Sequence, residues 1–164
     1  MTILFHGPSG CGKDTQSDLL VKNFDFQSIG TGDMFRRMYA NGDMDGIRAY
    51  QYWSKGLFVP NELVYKMLSK WLEQYDDSKD WIFISVVRDP GQISLFDSLL
   101  EKKSRKLDFF IHFTLDEQNA VERMSLRKVC ENCGTTYHSK YKKEKVSGYC
   151  DKCGTILTQR EDDK

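Results

Sequence analysis

Phe5-His6-Gly7-Pro8-Ser9-Gly10-Cys11-Gly12-Lys13-Asp14-Thr15-Gln16 is the stretch whose reading decides the fold. Before it, Thr2-Ile3-Leu4-Phe5 is a short apolar strand; after it, Lys13 to Leu20 has the makings of a helix. A glycine-rich turn between strand and helix lets backbone N–H groups point inward. The helix N-terminus adds orphan donors and positive dipole charge, and Lys13 supplies a mobile cation. The spacing Gly7-x4-Gly12-Lys13 therefore reads as a phosphate cradle of the P-loop kind. Asp14 stands where Ser or Thr usually follows the lysine, and Thr15 comes one residue later.

Outward from the cradle, elements of alternating type follow one another. Phe26 to Ile29, Trp81 to Val87 and Asp108 to Thr114 read as further strands, the last two as near-continuous apolar runs of the sort seen in parallel strands covered on both faces. Helices are expected over Asp14 to Asn23, Asp33 to Ala40, Asp45 to Ser54, Asn61 to Tyr75, Gln92 to Lys103 and Asp116 to Lys128, with Asn61 and Asp116 at capping positions. Strands alternating with helices imply βαβ crossovers and a parallel sheet. Past Lys128 the composition shifts toward Gly, Lys, Tyr and Cys, which marks a separate small module.

That module carries Cys130-x-x-Cys133-Gly134 and Cys150-x-x-Cys153-Gly154, separated by 16 residues. Each pair can form a knuckle, the glycine permitting the tight turn, and two knuckles complete a tetrahedral site for structural Zn²⁺. A closed shell of four thiolates leaves no open position for catalysis. Two other readings stay open here: unligated or disulfide-bonded cysteines, and a nucleic-acid-binding ribbon, since Lys140, Lys142, Lys143 and Lys145 interleave with Tyr137 and Tyr141.

Composition narrows the function classes. With 164 residues and 40% hydrophobic content, the chain can bury a real core. Lys plus Arg equals Asp plus Glu at 24 each, so no overall field draws nucleic acid or an anionic membrane, and phosphate affinity must be local. No apolar run approaches the roughly 18 residues of a spanning helix. A cytoplasmic monomer is expected, with neither nucleic acid nor membrane as partner. His6, His112 and His138 read as structural; Arg37, Arg48 and Arg105 read as surface charges; Trp53, Trp71 and Trp81 read as packing cores or inter-domain seams.

The order of motifs resembles the adenylate kinase family in its zinc-bearing, long-lid form. Gly7-x-x-Gly10-x-Gly12-Lys13-x-Thr15-Gln16 is similar to the family's phosphate loop, which usually has Gly where this chain has Asp14. Gly30-Thr31-Gly32-Asp33-Met34-Phe35-Arg36 and Gly56-Leu57-Phe58-Val59-Pro60-Asn61-Glu62-Leu63-Val64 resemble the next two signatures, and Arg88 and Gln92 keep the spacing of a third. Arg123 and Arg127 precede the first cysteine pair, Gly134-Thr135-Thr136-Tyr137-His138 follows it, and Arg160-Glu161-Asp162-Asp163 closes the set. The resemblance implies a P-loop NTPase-type doubly wound parallel sheet in order 2-3-1-4 without the family's fifth strand. It implies a core over 1–29 and 61–126, a helical acceptor-nucleotide arm over 30–60, and a zinc lid over 127–163.

The resemblance further implies reversible phosphoryl transfer, ATP + AMP = 2 ADP, with Mg²⁺ accompanying ATP. Gly10, Cys11, Gly12, Lys13, Asp14, Thr15, Arg127, Thr136 and Tyr137 would hold ATP. Thr31, Arg36, Leu57, Phe58, Val59, Ser85, Arg88, Gln92 and Arg160 would hold AMP, with Thr31 favouring AMP over pyrimidine monophosphates. Lys13, Arg88, Arg123, Arg127 and Arg160 would carry catalysis, because a reaction with little covalent work for the protein depends on alignment and charge neutralisation. Departures matter too: a register anchored on Arg88 and Gln92 puts Ile84 where the family has a strand-end aspartate and Ser85-Val86-Val87 where it has Gly-Phe-Pro. The family also continues past the lid, so weak transfer is expected of residues 1–164. The alternatives are a kinase for another nucleoside monophosphate and a non-catalytic nucleotide-binding zinc-ribbon protein.

Overall fold

The computed structural model describes residues 1–159, so Arg160 and the end of the expected lid lie outside the described residues. Strands β1 (Thr2–His6), β2 (Phe26–Gly30), β3 (Asp80–Ile84) and β4 (Phe109–His112) form a parallel sheet in the expected order β2-β3-β1-β4. The helices are α1 (Lys13–Asn23), α2 (Thr31–Ala40), α3 (Met44–Trp53), α4 (Asn61–Trp71), α5 (Ile93–Lys102) and α6 (Glu117–Ser125). A second, antiparallel sheet joins β5 (Arg127–Cys130), β6 (Thr136–His138) and β7 (Leu157–Thr158) in order β6-β5-β7.

The described chain divides into two compact units: Met1–Gly7 with Gly12–Phe113, and Pro8–Cys11 with Thr114 onward. In the first, alternation along the strands sends successive side chains to opposite faces. Leu4, Trp81 and Phe83 join Met34, Leu68 and Phe96 from the helices in the larger core. Ile3, Phe5, Ile82 and Ile84 form a smaller one with Leu20, Phe26 and Phe113. Phe83 packs edge-on against Trp81 and Phe96, at centroid distances of 5.9 and 5.0 Å. In the second unit, among the described residues, the ribbon's core is Cys130, Tyr137, Cys150 and Leu157, with Cys133 against it.

Several expectations are corrected. β3 stops at Ile84, short of Val87, because Ser85 takes the left-handed conformation, φ 54°, and turns the chain out of the sheet. β4 is not covered on both faces: all four of its residues are exposed, and β1 is its one neighbour in the sheet. An apolar run encodes a strand, but what covers it depends on the rest of the fold. Asn61 does not cap α4; Pro60 occupies that position, and the Asn61 amide is spent on Gln92. Asp116 does cap α6, accepting from the Asn119 N–H at 2.9 Å. α3 is capped two residues earlier than expected, by Asp43, whose carboxylate accepts from the N–H groups of Asp45 and Gly46. Arg105 is not a solvated charge, since its guanidinium lies 3.9 Å over the Trp81 ring and donates to the Lys79 carbonyl.

Candidate functional site

The cradle is built by three glycines at positive φ, Gly7 (143°), Gly10 (78°) and Gly12 (99°), conformations that side chains disfavour. Gly12 is the N-cap of α1 and has no side chain with which to cap the helix, so the positive end of the helix dipole faces the turn without a side-chain acceptor from the cap residue. Lys13, 7% exposed, folds back so that Nζ donates to the Gly7 carbonyl at 2.7 Å. Asp14 and Thr15 are exposed on the first turn, and Asp14 makes no cap. Within the second unit, Arg123 Nη1 donates to the Gly10 carbonyl at 3.2 Å, and a Cβ on Gly10 would stand 3.4 Å from that of Arg123.

A second polar cluster occupies the carboxyl end of β3. The Ser85 carbonyl accepts from Thr31 Oγ1 at 3.4 Å and from Arg88 Nε at 3.2 Å. Gln92, buried, accepts from the Arg88 N–H at 2.7 Å and donates to Asn61 Oδ1 at 2.8 Å, while Asn61 reaches Asp89 at 3.4 Å. Arg88 is solvent-exposed; partial desolvation draws its guanidinium below the ordinary value, and a guanidinium stays charged in proteins. Arg36 lies against Gly32, where an added Cβ would meet Nη1 at 3.3 Å. Leu57 and Phe58 are exposed, whereas Val59 is in the core. Thus Thr31, Ser85, Arg88 and Gln92 come together in one network, to which Asn61 adds a member that sequence reasoning had assigned to capping.

In the ribbon the four cysteines converge. Sγ atoms of Cys130 and Cys153 are 3.3 Å apart, those of Cys133 and Cys150 3.5 Å, and all four lie within 4.8 Å of one another with no disulfide formed. The knuckles are twins. Gly134 and Gly154, both near φ 72°, donate N–H to the carbonyls of Cys130 and Cys150 at 2.8 Å. The Thr155 hydroxyl and N–H beside Cys153 hold its thiol down to about 5, whereas burial pushes Cys130 up to about 11. Such a donor set fits a tetrahedral soft cation. Tyr137 is buried with its hydroxyl accepting from the Asp151 N–H at 2.7 Å and 3.5 Å from Cys150 Sγ, which commits that side chain to the knuckles. Thr136 is half-buried beside it, and Arg127 lies opposite His138 on β5 and β6. His138 is structural, its Nδ1 accepting from the N–H groups of Lys140 and Tyr141.

The family profile described as "Adenylate kinase" matches residues 5–161. The chain belongs to the adenylate kinase family. The adenylate kinase of Archaeoglobus fulgidus is 37% identical over 164 residues, which is all of this chain and 76% of the relative. That of Thermoanaerobacter sp. (strain X514) is 38% identical over the same span, again 76% of its length. The adenylate kinase of Carboxydothermus hydrogenoformans is 38% identical over 163 residues, 99% of this chain and 76% of the relative.

Membership in the adenylate kinase family brings ATP and AMP as substrates, with magnesium accompanying ATP. It also puts two departures in structural terms. Ile84 is 8% exposed and packed with Phe5 and Phe113, so the end of β3 presents an apolar wall where adenylate kinases carry a carboxylate. Ser85 keeps the positive φ that a glycine takes without strain. Among the described residues, no helix is long and apolar enough to cross a membrane.

Proposed function

We propose that this chain transfers the terminal phosphoryl group of MgATP reversibly to AMP, giving two ADP. The observation that carries this is the pairing of cations at one sheet edge: Lys13 follows β1, Arg88 follows β3, and the two strands are hydrogen-bonded neighbours. An in-line transfer needs two phosphorylated substrates held with their charges neutralised along one line. The turn from Gly10 to Thr15 takes the ATP phosphates, with Lys13 leaving the Gly7 carbonyl to meet them. Thr31, Arg36, Leu57 to Val59, Ser85, Arg88 and Gln92 take AMP, and the Thr31 hydroxyl already directed at the β3 end supports a purine over a pyrimidine acceptor. Arg127, Thr136 and the Tyr137 backbone complete ATP binding, Arg160 completes AMP binding, and Arg123, Arg127 and Arg160 join Lys13 and Arg88 in neutralising charge.

The ribbon cysteines Cys130, Cys133, Cys150 and Cys153 hold one Zn²⁺, which supplies structure and no chemistry, since four thiolates close its coordination shell. The protein works as a cytoplasmic monomer on free nucleotides; its zero net charge supports independence from nucleic acid and anionic membranes. With Ile84 at the strand end, one electrostatic partner of the transition state is absent, a loss that typically costs about 10²–10³ in rate.

A coupled assay with ATP, magnesium and each monophosphate in turn tests the reading. ADP should form fastest with AMP, and Lys13→Ala should abolish ATP binding measured by calorimetry. Transfer to a pyrimidine monophosphate in preference, or unchanged ATP affinity in the lysine variant, would overturn it.

A further inference from the structure

β1 and β4 run side by side with His6 opposite His112. Their Nδ1 atoms are 3.0 Å apart and the rings are stacked at a centroid distance of 5.2 Å. Two imidazole nitrogens this close need one proton between them. With both Nδ1 atoms bare, two lone pairs face each other; with both protonated, two cations and two N–H groups do. His6 is also the residue immediately before Gly7, whose carbonyl receives Lys13.

The charges that act on His6 are Lys13 from α1 and Arg88 from the loop after β3. His6 also shares the wall of an open cavity of about 380 Å³ with Arg88, with Asp89 of the same loop and with Asp97 of α5. Burial, then His112, Lys13 and Arg88, hold His6 below its ordinary 6.5. The two cations that depress it are the two assigned above to donor and acceptor phosphates.

We propose that the His6–His112 pair is a proton-linked part of the phosphate site: an anion bound at Lys13 and Arg88 draws a further proton from solvent onto the pair. The inference rests on the nucleotide-binding reading of the cradle. A phosphate that neutralises Lys13 and Arg88 removes their repulsion of a proton on His6, so the pair binds protons more tightly in the complex than in the free chain. Linkage is reciprocal, so protonating the pair must strengthen anion binding by the same factor. The sign follows: affinity rises as pH falls through the range where the pair titrates, and each unit of upward shift on binding is worth at most tenfold.

Calorimetry with magnesium-free ATP titrated into chain saturated with AMP, and with AMP titrated into chain saturated with magnesium-free ATP, in buffers of different ionisation enthalpy, counts the protons taken up as the Lys13 and Arg88 sites fill. The unmodified chain should take up more protons than His112→Asn or His6→Asn at about pH 6, and its affinity should gain several-fold more between about pH 8 and about pH 6. Protonation of the nucleotides themselves is common to all three proteins and cancels. Equal proton uptake in all three, with ATP bound, overturns this inference and leaves the cradle reading intact; no binding of ATP at either pH overturns both. His112 lies on the exposed edge strand, where Asn is tolerated. A readout needing no variant is the imidazole C–H resonances of the unmodified chain, whose midpoints should move up with ATP and whose constancy would also overturn the inference.

Discussion

Ser85 concentrates the residue-scale tension in this protein. Its carbonyl gathers Thr31 and Arg88, which requires the chain to turn at that point, and the turn puts a residue with a Cβ at φ 54°. A non-glycine residue there carries on the order of 1 kcal/mol of strain. Ser85→Gly should therefore raise unfolding stability in urea by about 0.5–1 kcal/mol, with the Thr31 and Arg88 contacts kept because they use only the carbonyl. Ile84, next door, poses the opposite exchange. Ile84→Asp should raise turnover, by up to about 10²-fold if the carboxylate meets the transition-state charge, while the same carboxylate beside Phe5 and Phe113 lowers stability by about 1–3 kcal/mol. A kcat measured at saturating nucleotide together with a denaturation curve separates the two effects. Lys13, Thr31, Arg88 and Gln92 were legible in the sequence because motif spacing is local information. The His6–His112 contact was not, since a partner 106 positions away is defined only by the strand register.

At the scale of elements, the helices between residues 31 and 53 show how little sequence a tight contact needs. α2 and α3 approach so closely that a Cβ on Gly46 would stand 2.6 Å from the backbone of Met38, which makes glycine obligatory there. The start of α3 is set by Asp43, which caps two N–H groups and pairs with Lys70 on α4; Asp45 similarly meets Lys66 at 2.7 Å. The Lys70 hydrogen bond, against the cost of burial, holds the Asp43 carboxyl below its ordinary 3.8. A lowered carboxyl stabilises the fold above its unfolded value and ceases to do so as pH falls through the folded one. Asp43→Asn should accordingly cost about 1 kcal/mol near neutrality, and the gap to the unmodified chain should close as the pH falls below the ordinary carboxylate range and through the lowered folded value. Paired denaturation curves across that range check it. The helices themselves were readable from periodicity, but their caps shifted by a residue or two because Asp43 and Asp45 compete for the same role. The exposure of β4 was unreadable, because an apolar run says nothing of what lies over it.

At the scale of the molecule, two units rest on unequal cores. The α/β unit has two clusters of buried side chains, whereas among the described residues the ribbon's cluster holds four, two of them cysteines of the four-thiol group. So small an apolar cluster offsets little of the entropy of ordering the ribbon, and the Zn²⁺ proposed for the four cysteines would supply the difference. Purified chain should hold about one equivalent of zinc, and chelation should erase the ribbon's structure while the sheet of the first unit persists. Metal analysis with amide hydrogen exchange before and after chelator reads both; full protection of residues 127–158 after zinc loss would contradict the expectation.

The sequence by itself determined the phosphate turn, the alternation of strand and helix, the paired knuckles and the family, because each is encoded in residues close together along the chain. Spacing of glycines, period of apolar residues and C-x-x-C pairs act through local backbone geometry. Tertiary structure alone decided that Ser85 turns at positive φ, that Asn61 serves Gln92, that Arg105 covers Trp81 and that His6 faces His112. Each of these depends on a contact between distant segments, where packing and register, and no local preference, choose the partner.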